Sequence, residues 1–281
     1  MGRDCKLMDP LSSLTILAAA MFAGFMGALL GIGGGSIMVP VFTVTLGINV
    51  KVAVATSLTA LIATSAISSS VYLRKRLVNL RLAVVLEGAT VLGSVTGASI
   101  AAAIPDWAVE TLFGIVLFYA FTVMVLRTLR PPRVKEAGGG RFSYYDDALR
   151  RVVSYDYRNL PIATALSFLA GIVSGMLGIG GGTVKVPILD LVAGLPMKAA
   201  VATSSYMIGI TASGGSLVYF FKGLIDPHIV ALAVAGIVAG SRLGAAVMTK
   251  LKSRVLRVIF SVFLAYYAAR MIMRGAAGWW S

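Results

Sequence analysis

The chain has 281 residues, 58% of them hydrophobic and 13% charged, with a mean hydropathy of +0.90. So few charges cannot clothe a soluble fold of this length. The apolar content excludes a disordered chain, the 31 glycines follow no triplet period, and a single cysteine, Cys5, excludes an internal disulfide framework.

An all-α, polytopic helical membrane protein is the default reading. The net charge of +14, from 25 Lys and Arg against 11 Asp and Glu, reads as positive cytoplasmic loops rather than as nucleic-acid binding.

In chain order, the first apolar block is Leu11–Leu30. Arg3 and Lys6 precede it as in a signal peptide, but it is too long for an h-region and runs into further apolar sequence, so it is kept. A triple glycine then leads to the short block Ile37–Leu46. Val52–Leu73, Leu82–Ile104 and Trp107–Leu126 follow, each near the roughly 20 residues that a bilayer core of about 30 Å requires. The polar stretch from Arg127 to Leu160 holds Pro131-Pro132 and Gly138–Gly140, and predicts a linker with a short surface helix around Tyr144–Val153. Beyond it come Pro161–Leu177, a second triple glycine, Val184–Leu195, Ala199–Phe221, Pro227–Met248 and Val255–Met273. Ile37–Leu46 and Val184–Leu195 are too short to span alone, so each is predicted as the second arm of a glycine-broken helix. Asp9-Pro10 and Asp226-Pro227 pair an N-cap acceptor with a proline at the first helical position, and Asp106 follows Pro105 as a further cap.

The sequence repeats itself. Leu30-Gly-Ile-Gly-Gly-Gly-Ser-Ile-Met-Val-Pro40 matches Leu177-Gly-Ile-Gly-Gly-Gly-Thr-Val-Lys-Val-Pro187, an offset of 187 − 40 = 147. The same offset carries Lys51 onto Lys198, Val54-Ala-Thr-Ser57 onto Val201-Ala-Thr-Ser204, Val71-Tyr72 onto Val218-Tyr219, and Gly97-Ala98 onto Gly244-Ala245. The predicted division is a first transmembrane repeat over 1–129, a basic cytoplasmic linker over 130–154, and a second repeat over 155–281.

The basic loops orient the chain. Arg74, Lys75, Arg76 and Arg81 form one, the linker another, and Lys250, Lys252, Arg254 and Arg257 a third. The positive-inside rule puts all three in the cytoplasm. An even number of crossings must then separate the linker from Lys250, so the broken pair is re-entrant or both its arms cross. The halves are accordingly predicted to be inverted repeats, each a broken helix pair plus three transmembrane helices, with both ends of the chain outside. Inverted repeats with interrupted helices in equivalent places characterise secondary transporters, whose sites lie at the interruptions. A kinked single crossing with parallel repeats is the counter-reading; it puts the Lys250–Arg257 cluster outside.

Consecutive glycines at membrane depth leave backbone N–H groups without partners, which survives only in a buried or cavity-lining place. The helices starting near Ser36 and Thr183 aim positive dipole ends at these breaks, an arrangement suited to an anion. Gly33, Gly34, Gly35, Ser36, Gly180, Gly181, Gly182 and Thr183 are therefore candidate substrate ligands. Close helix packing through small residues is the alternative. A dinucleotide-binding reading lacks the strand it needs, and no phosphate-binding loop of the ATPase kind is present.

Lys185 stands where the first half has Met38. A cation in the first turn of a membrane helix opposes the dipole, and a bound anion would offset that cost. Its alternatives are an ion pair with Asp190 or an interfacial position. Arg242, amid small residues, is a second candidate cation that could clamp an oxyanion, with snorkelling or pairing to Asp190 as alternatives. Thr56, Ser57, Thr203 and Ser204 head the spans after the broken pairs and can offer hydroxyls to the gap. Ser68 and Thr211 read as helix-packing surface, and Glu87 as the partner of a loop arginine, with proton coupling as its other reading. No metal-ligand spacing and no nucleophile–base pair is apparent, so neither a cofactor nor an enzymatic activity is expected.

Two copies of Leu-Gly-Ile-Gly-Gly-Gly-(Ser/Thr)-x-x-Val-Pro, each followed by Val-Ala-Thr-Ser and later by Gly-x-x-x-Gly-Ala, resemble the TauE/SafE family of membrane transporters. The resemblance spans nearly the whole chain apart from the linker. It implies export of small sulfur-containing anions, such as sulfite or organosulfonates, across the cell membrane, with Gly33–Ser36 and Gly180–Thr183 lining the site. An anion channel or a membrane partner subunit on the same fold is the alternative. The expected partners are the anionic substrate and the lipid bilayer, with a homo-oligomer left open.

Overall fold

The computed structural model describes residues 10–30, 33–129, 140–146, 150–248 and 254–279. Among them lie ten α-helices. In hydrocarbon, every backbone N–H and C=O must be satisfied within its own segment, which the long apolar runs achieve as helices. They are α1 (Pro10–Leu30), the short α2 (Gly35–Pro40), α3 (Val50–Arg74), α4 (Leu80–Ala103) and α5 (Asp106–Leu129) in the first half. The second half repeats them as α6 (Leu160–Leu177), α7 (Gly182–Pro187), α8 (Met197–Phe221), α9 (Pro227–Met248) and α10 (Arg254–Trp279). Five helices, α3, α4, α5, α6 and α9, contain stretches long and apolar enough to cross a membrane.

Helix starts follow local chemistry. The Asn49 side chain accepts from Lys51 N at 2.9 Å, and Asn79 from Leu82 N at 3.1 Å. Asp226 Oδ1 accepts from His228 N and Ile229 N at 2.9 and 3.2 Å, as its place before Pro227 predicts. Asp9 lies outside the described residues. Asp106 is the first residue of α5, and its carboxylate accepts from Asn49 Nδ2 at 2.6 Å and pairs with Lys51 at 3.4 Å. It thereby ties the start of α5 to the start of α3.

The helices pack across the halves rather than within them. α1 lies along α9, and α4 along α6. Glycines set both contacts: a Cβ at Gly240 would overlap the Met21 carbonyl, and one at Gly93 would overlap the Phe168 carbonyl. These are the same contact under the 147-residue offset, and Gly244 on Phe25 matches Gly97 on Ile172 in the same way. Both pairs run parallel, since the partner number rises along both helices. α3 packs on its own equivalent, α8, and α5 on its equivalent, α10. These two pairs run antiparallel. Thr59 meets Ser216 at 2.9 Å while Ser65 donates to the Ser205 carbonyl at 2.7 Å. Gly114 lies against Ala268 and Ile272 while Gly275 lies against Thr111 and Trp107.

The linker departs from expectation. Where a short surface helix was expected around Tyr144–Val153, the chain forms an antiparallel hairpin, β1 (Phe142–Asp146) with β2 (Arg151–Tyr155), in the register Phe142↔Tyr155 to Asp146↔Arg151. The reason is a period of two: Tyr144, Asp146, Val153 and Tyr155 are buried while Ser143, Tyr145, Arg151 and Val152 are exposed. Aromatic and β-branched residues suit such a half-buried pleat. Asp146 pairs with Lys198 at 2.7 Å, and Asn79 Nδ2 donates to the Tyr155 hydroxyl at 3.5 Å. Burial pushes the Tyr144 phenol up, helped by the Asp146 carboxylate beside it, and burial also raises that of Tyr155. The hairpin is therefore docked against both halves.

Candidate functional site

Each glycine break reverses the chain. The Ala28 carbonyl accepts from the Tyr72 hydroxyl near the end of α3, at 2.5 Å, whereas Gly35 lies against Ser57 in the first half of α3. Between them Gly33 adopts a φ of 75°, a conformation open to glycine. The second break uses Gly178, Gly180 and Gly181 at φ of 67°, 75° and 72°, and Tyr219 donates to the Gly175 carbonyl at 3.2 Å as the counterpart of Tyr72 on Ala28. α2 and α7 then run six α-helical residues into five π-helical ones, Val41–Thr45 and Ile188–Val192. Such an arm is about 16 Å long at 1.5 Å per residue, half of a bilayer core. The change of geometry follows Pro40 and Pro187, which cannot donate to the helix ladder and crowd the preceding turn.

The two breaks meet at the centre of the molecule. Gly33 sits beside the Ile179 carbonyl, and both Gly33 and Gly180 pack on Leu61 and Ile208. Leu61 and Ile208 are equivalents under the repeat, so the breaks face each other across the α3–α8 contact. Ser57 Oγ donates to the Gly178 carbonyl at 2.7 Å, holding the second-half break with a first-half helix.

Most of the sequence-predicted residues lie inside the protein. Gly33, Gly34, Gly35, Ser36, Thr56, Ser57, Gly180, Gly181, Gly182, Thr183, Lys185, Thr203 and Ser204 are all buried. The hydroxyls divide by role. Ser57 is committed to Gly178, and Thr203 accepts from Asn79 N at 3.0 Å. Those of Ser36, Thr56 and Thr183 are buried with no hydrogen-bond partner among the described residues. A buried hydroxyl without a partner carries a desolvation cost that a polar ligand would relieve.

Arg242 does not join them. It is exposed on α9. Gly240 and Gly244 face α1, and a residue two positions from each lies about 200° round the helix, on the opposite side.

Lys185 is 1% exposed, and its partner is neither Asp190 nor solvent. Its ammonium donates to Thr211 Oγ1 at 2.5 Å and stands 3.8 Å from Glu87 Oε2. Thr211 Oγ1 lies 2.5 Å from Glu87 Oε1 and 3.0 Å from the Met207 carbonyl, so its single proton goes to the nearer, charged acceptor. Glu87 therefore serves no loop arginine, and Thr211 is a polar bridge rather than packing surface. Sequence reasoning missed this because the three residues come from α4, α7 and α8. The one available signal was the offset: Lys185, Glu87 and Thr211 correspond to Met38, Val234 and Thr64, so the two charges vanish together from the other copy.

Comparison with known proteins agrees with the fold. The family model described as "Sulfite exporter TauE/SafE" matches residues 16–271. The chain is 27% identical over 272 residues to the probable membrane transporter protein YunE of Bacillus subtilis, covering 94% of this chain and 99% of that one. It is 26% identical over 273 residues to a probable membrane transporter protein of Methanocaldococcus jannaschii, covering 92% of this chain and 94% of the other. It is 32% identical over 120 residues to the Sulfite exporter TauE/SafE family protein 5 of Arabidopsis thaliana, covering 42% of this chain and 27% of that one. No solved structure matches it. With a family model over almost its whole length, relatives matched end to end and apolar helices throughout, the chain belongs to the TauE/SafE family of membrane transporters.

Proposed function

We propose that the protein is a secondary transporter that exports small sulfur-containing anions, such as sulfite or organosulfonates. The observation that carries this reading is the meeting of the two glycine breaks, with unpartnered Ser36, Thr56 and Thr183 hydroxyls and the buried cation Lys185 close by in the chain. Helix N-terminal N–H groups, hydroxyls and an ammonium are all donors, and they suit an oxyanion with several acceptor oxygens. The sulfur chemistry and the outward direction come from the family's name.

Transport proceeds by rocking of one unit against the other around this central point, with the halves acting as inverted repeats. The antiparallel packing of α3 on α8 and of α5 on α10 supports that arrangement. The basic loop at Arg74–Arg81 and the linker face the cytoplasm, on the charge argument.

Thermal stability of the purified protein tests the substrate class. Sulfite, sulfate, thiosulfate, sulfoacetate and taurine are screened against chloride at matched ionic strength. At least one sulfur anion raises the melting temperature while chloride does not; failure of all of them removes the proposal.

A further inference from the structure

We infer that Glu87 is a proton-binding site coupled to the anion at Lys185, so that each anion crosses with one proton. The inference rests on the anion site proposed above and adds its coupling ion. The carrying observation is a buried, isolated ion pair. Glu87 and Lys185 are 5% and 1% exposed and stand 3.8 Å apart, bridged by the Thr211 hydroxyl. Among the described residues, no other charged group acts on either.

The surroundings of Glu87 are otherwise without charge. α6, packed along α4, contains no titratable residue. On α8, Lys198 is engaged by Asp146, the Tyr219 hydroxyl by the Gly175 carbonyl, and Tyr206 is half-buried. On α4 itself, Arg81 is exposed. Among the described residues, Lys185 is therefore the single countercharge of Glu87, and Glu87 that of Lys185.

In the empty site the pair is neutral. An anion arriving at the start of α7 draws on the same ammonium, leaving two negative charges to one positive in a buried place. Uptake of one proton from water by Glu87 restores neutrality: Lys185 remains cationic, the anion takes its charge, and Glu87 becomes a neutral acid. Thr211 permits both arrangements. While Glu87 is ionised, the hydroxyl donates to Oε1; once Glu87 is protonated, the new O–H donates to Thr211 Oγ1. The hydroxyl proton then turns to the Met207 carbonyl, 3.0 Å away. No charge is left unpaired in either state, and anion and proton leave together.

The coupling is reciprocal: if anion binding raises proton affinity, protons raise anion affinity. The other copy supplies the contrast. Met38 and Val234 occupy the equivalent positions, so an anion at that break finds neither the cation nor the proton acceptor. The asymmetry assigns the coupled event to the second break alone.

The test uses full-length purified protein and methanesulfonate, which stays ionised throughout, in weakly buffered solution with a pH-indicating dye. Wild type takes up about one proton per anion bound, and its affinity rises as pH falls, about tenfold per unit while Glu87 starts out ionised. Glu87→Gln binds methanesulfonate without proton uptake and with a flat pH dependence. The Glu87→Val, Lys185→Met double variant, which recreates the apolar copy and leaves no lone buried charge, folds and binds more weakly, again without proton uptake. Proton uptake that persists in either variant overturns the coupling, as does wild-type binding with no proton uptake. A wild type that binds no sulfur anion in the stability screen overturns the anion site and the coupling with it.

Discussion

Ser57 and Gly178 belong to different halves of the chain, and the hydroxyl of one donates to the carbonyl of the other at 2.7 Å inside the protein. Gly178 needs this bond because its carbonyl belongs to a break in a membrane helix and has no ladder partner to turn to. Ser57→Ala leaves that carbonyl buried and unsatisfied, at a cost of about 1–3 kcal/mol. Thermal unfolding in detergent shows the loss, and Ser69→Ala, which removes a buried hydroxyl without a partner among the described residues, shows much less.

The glycine seams predict a second contrast. Gly240→Ala and Gly93→Ala each press a methyl into a facing carbonyl, of Met21 and Phe168. Overpacking of this kind costs about 1–3 kcal/mol, and both variants unfold at lower temperature. Gly88→Ala, on the same helix as Gly93 but with nothing within 4 Å of the added methyl, leaves the melting temperature at or above that of wild type.

Lys185→Met alone strands the Glu87 carboxylate in a buried place, with an expected loss of about 3–5 kcal/mol. Glu87→Val alone strands the ammonium at similar cost. Made together, the two substitutions lie close to wild type in stability, because a buried ion pair exchanged for apolar groups is near neutral or better. A double-mutant cycle by thermal or denaturant unfolding reads the coupling directly. Strictly additive losses contradict the pairing.

Arg242→Leu removes a cation from the exposed side of α9. Binding of sulfite or a sulfonate is unchanged in that variant, whereas Thr183→Val and Ser36→Ala lower affinity. Isothermal titration with each purified variant checks the ranking; a loss on Arg242→Leu that matches the loss on Thr183→Val returns the arginine to the site.

The sequence carried the centre of this molecule well. Gly33–Ser36 and Gly180–Thr183 announce themselves because a run of glycines inside apolar sequence has few uses, and the 147-residue offset shows that both copies are kept. Contacts between distant segments leave no such mark. Nothing local says that Lys185 will meet Glu87 rather than Asp190; that follows from α4 lying along α6 and α8, which brings an α4 carboxylate to the start of α7. The glycines on both sides of Arg242 do mark a crowded seam, but the helix turn carries the arginine to the opposite face. The hairpin leaves a fainter mark: the polarity of the linker points to a solvated connector, and only the alternation of Tyr144, Asp146, Val153 and Tyr155 points to a half-buried pleat.

The crossed pairing of α1 with α9 and of α6 with α4 also bears on how the protein is made. During synthesis α1 emerges well before α9, so the helix that fills its glycine-lined seam arrives only after α2 to α8 have left the ribosome. The first half must therefore wait in the bilayer with one face uncovered, and a chain truncated after α8 would present that face to whatever lipid or helix lies nearby. Two fragments divided within residues 130–139 should each be short-lived when produced alone and mutually protective when produced together.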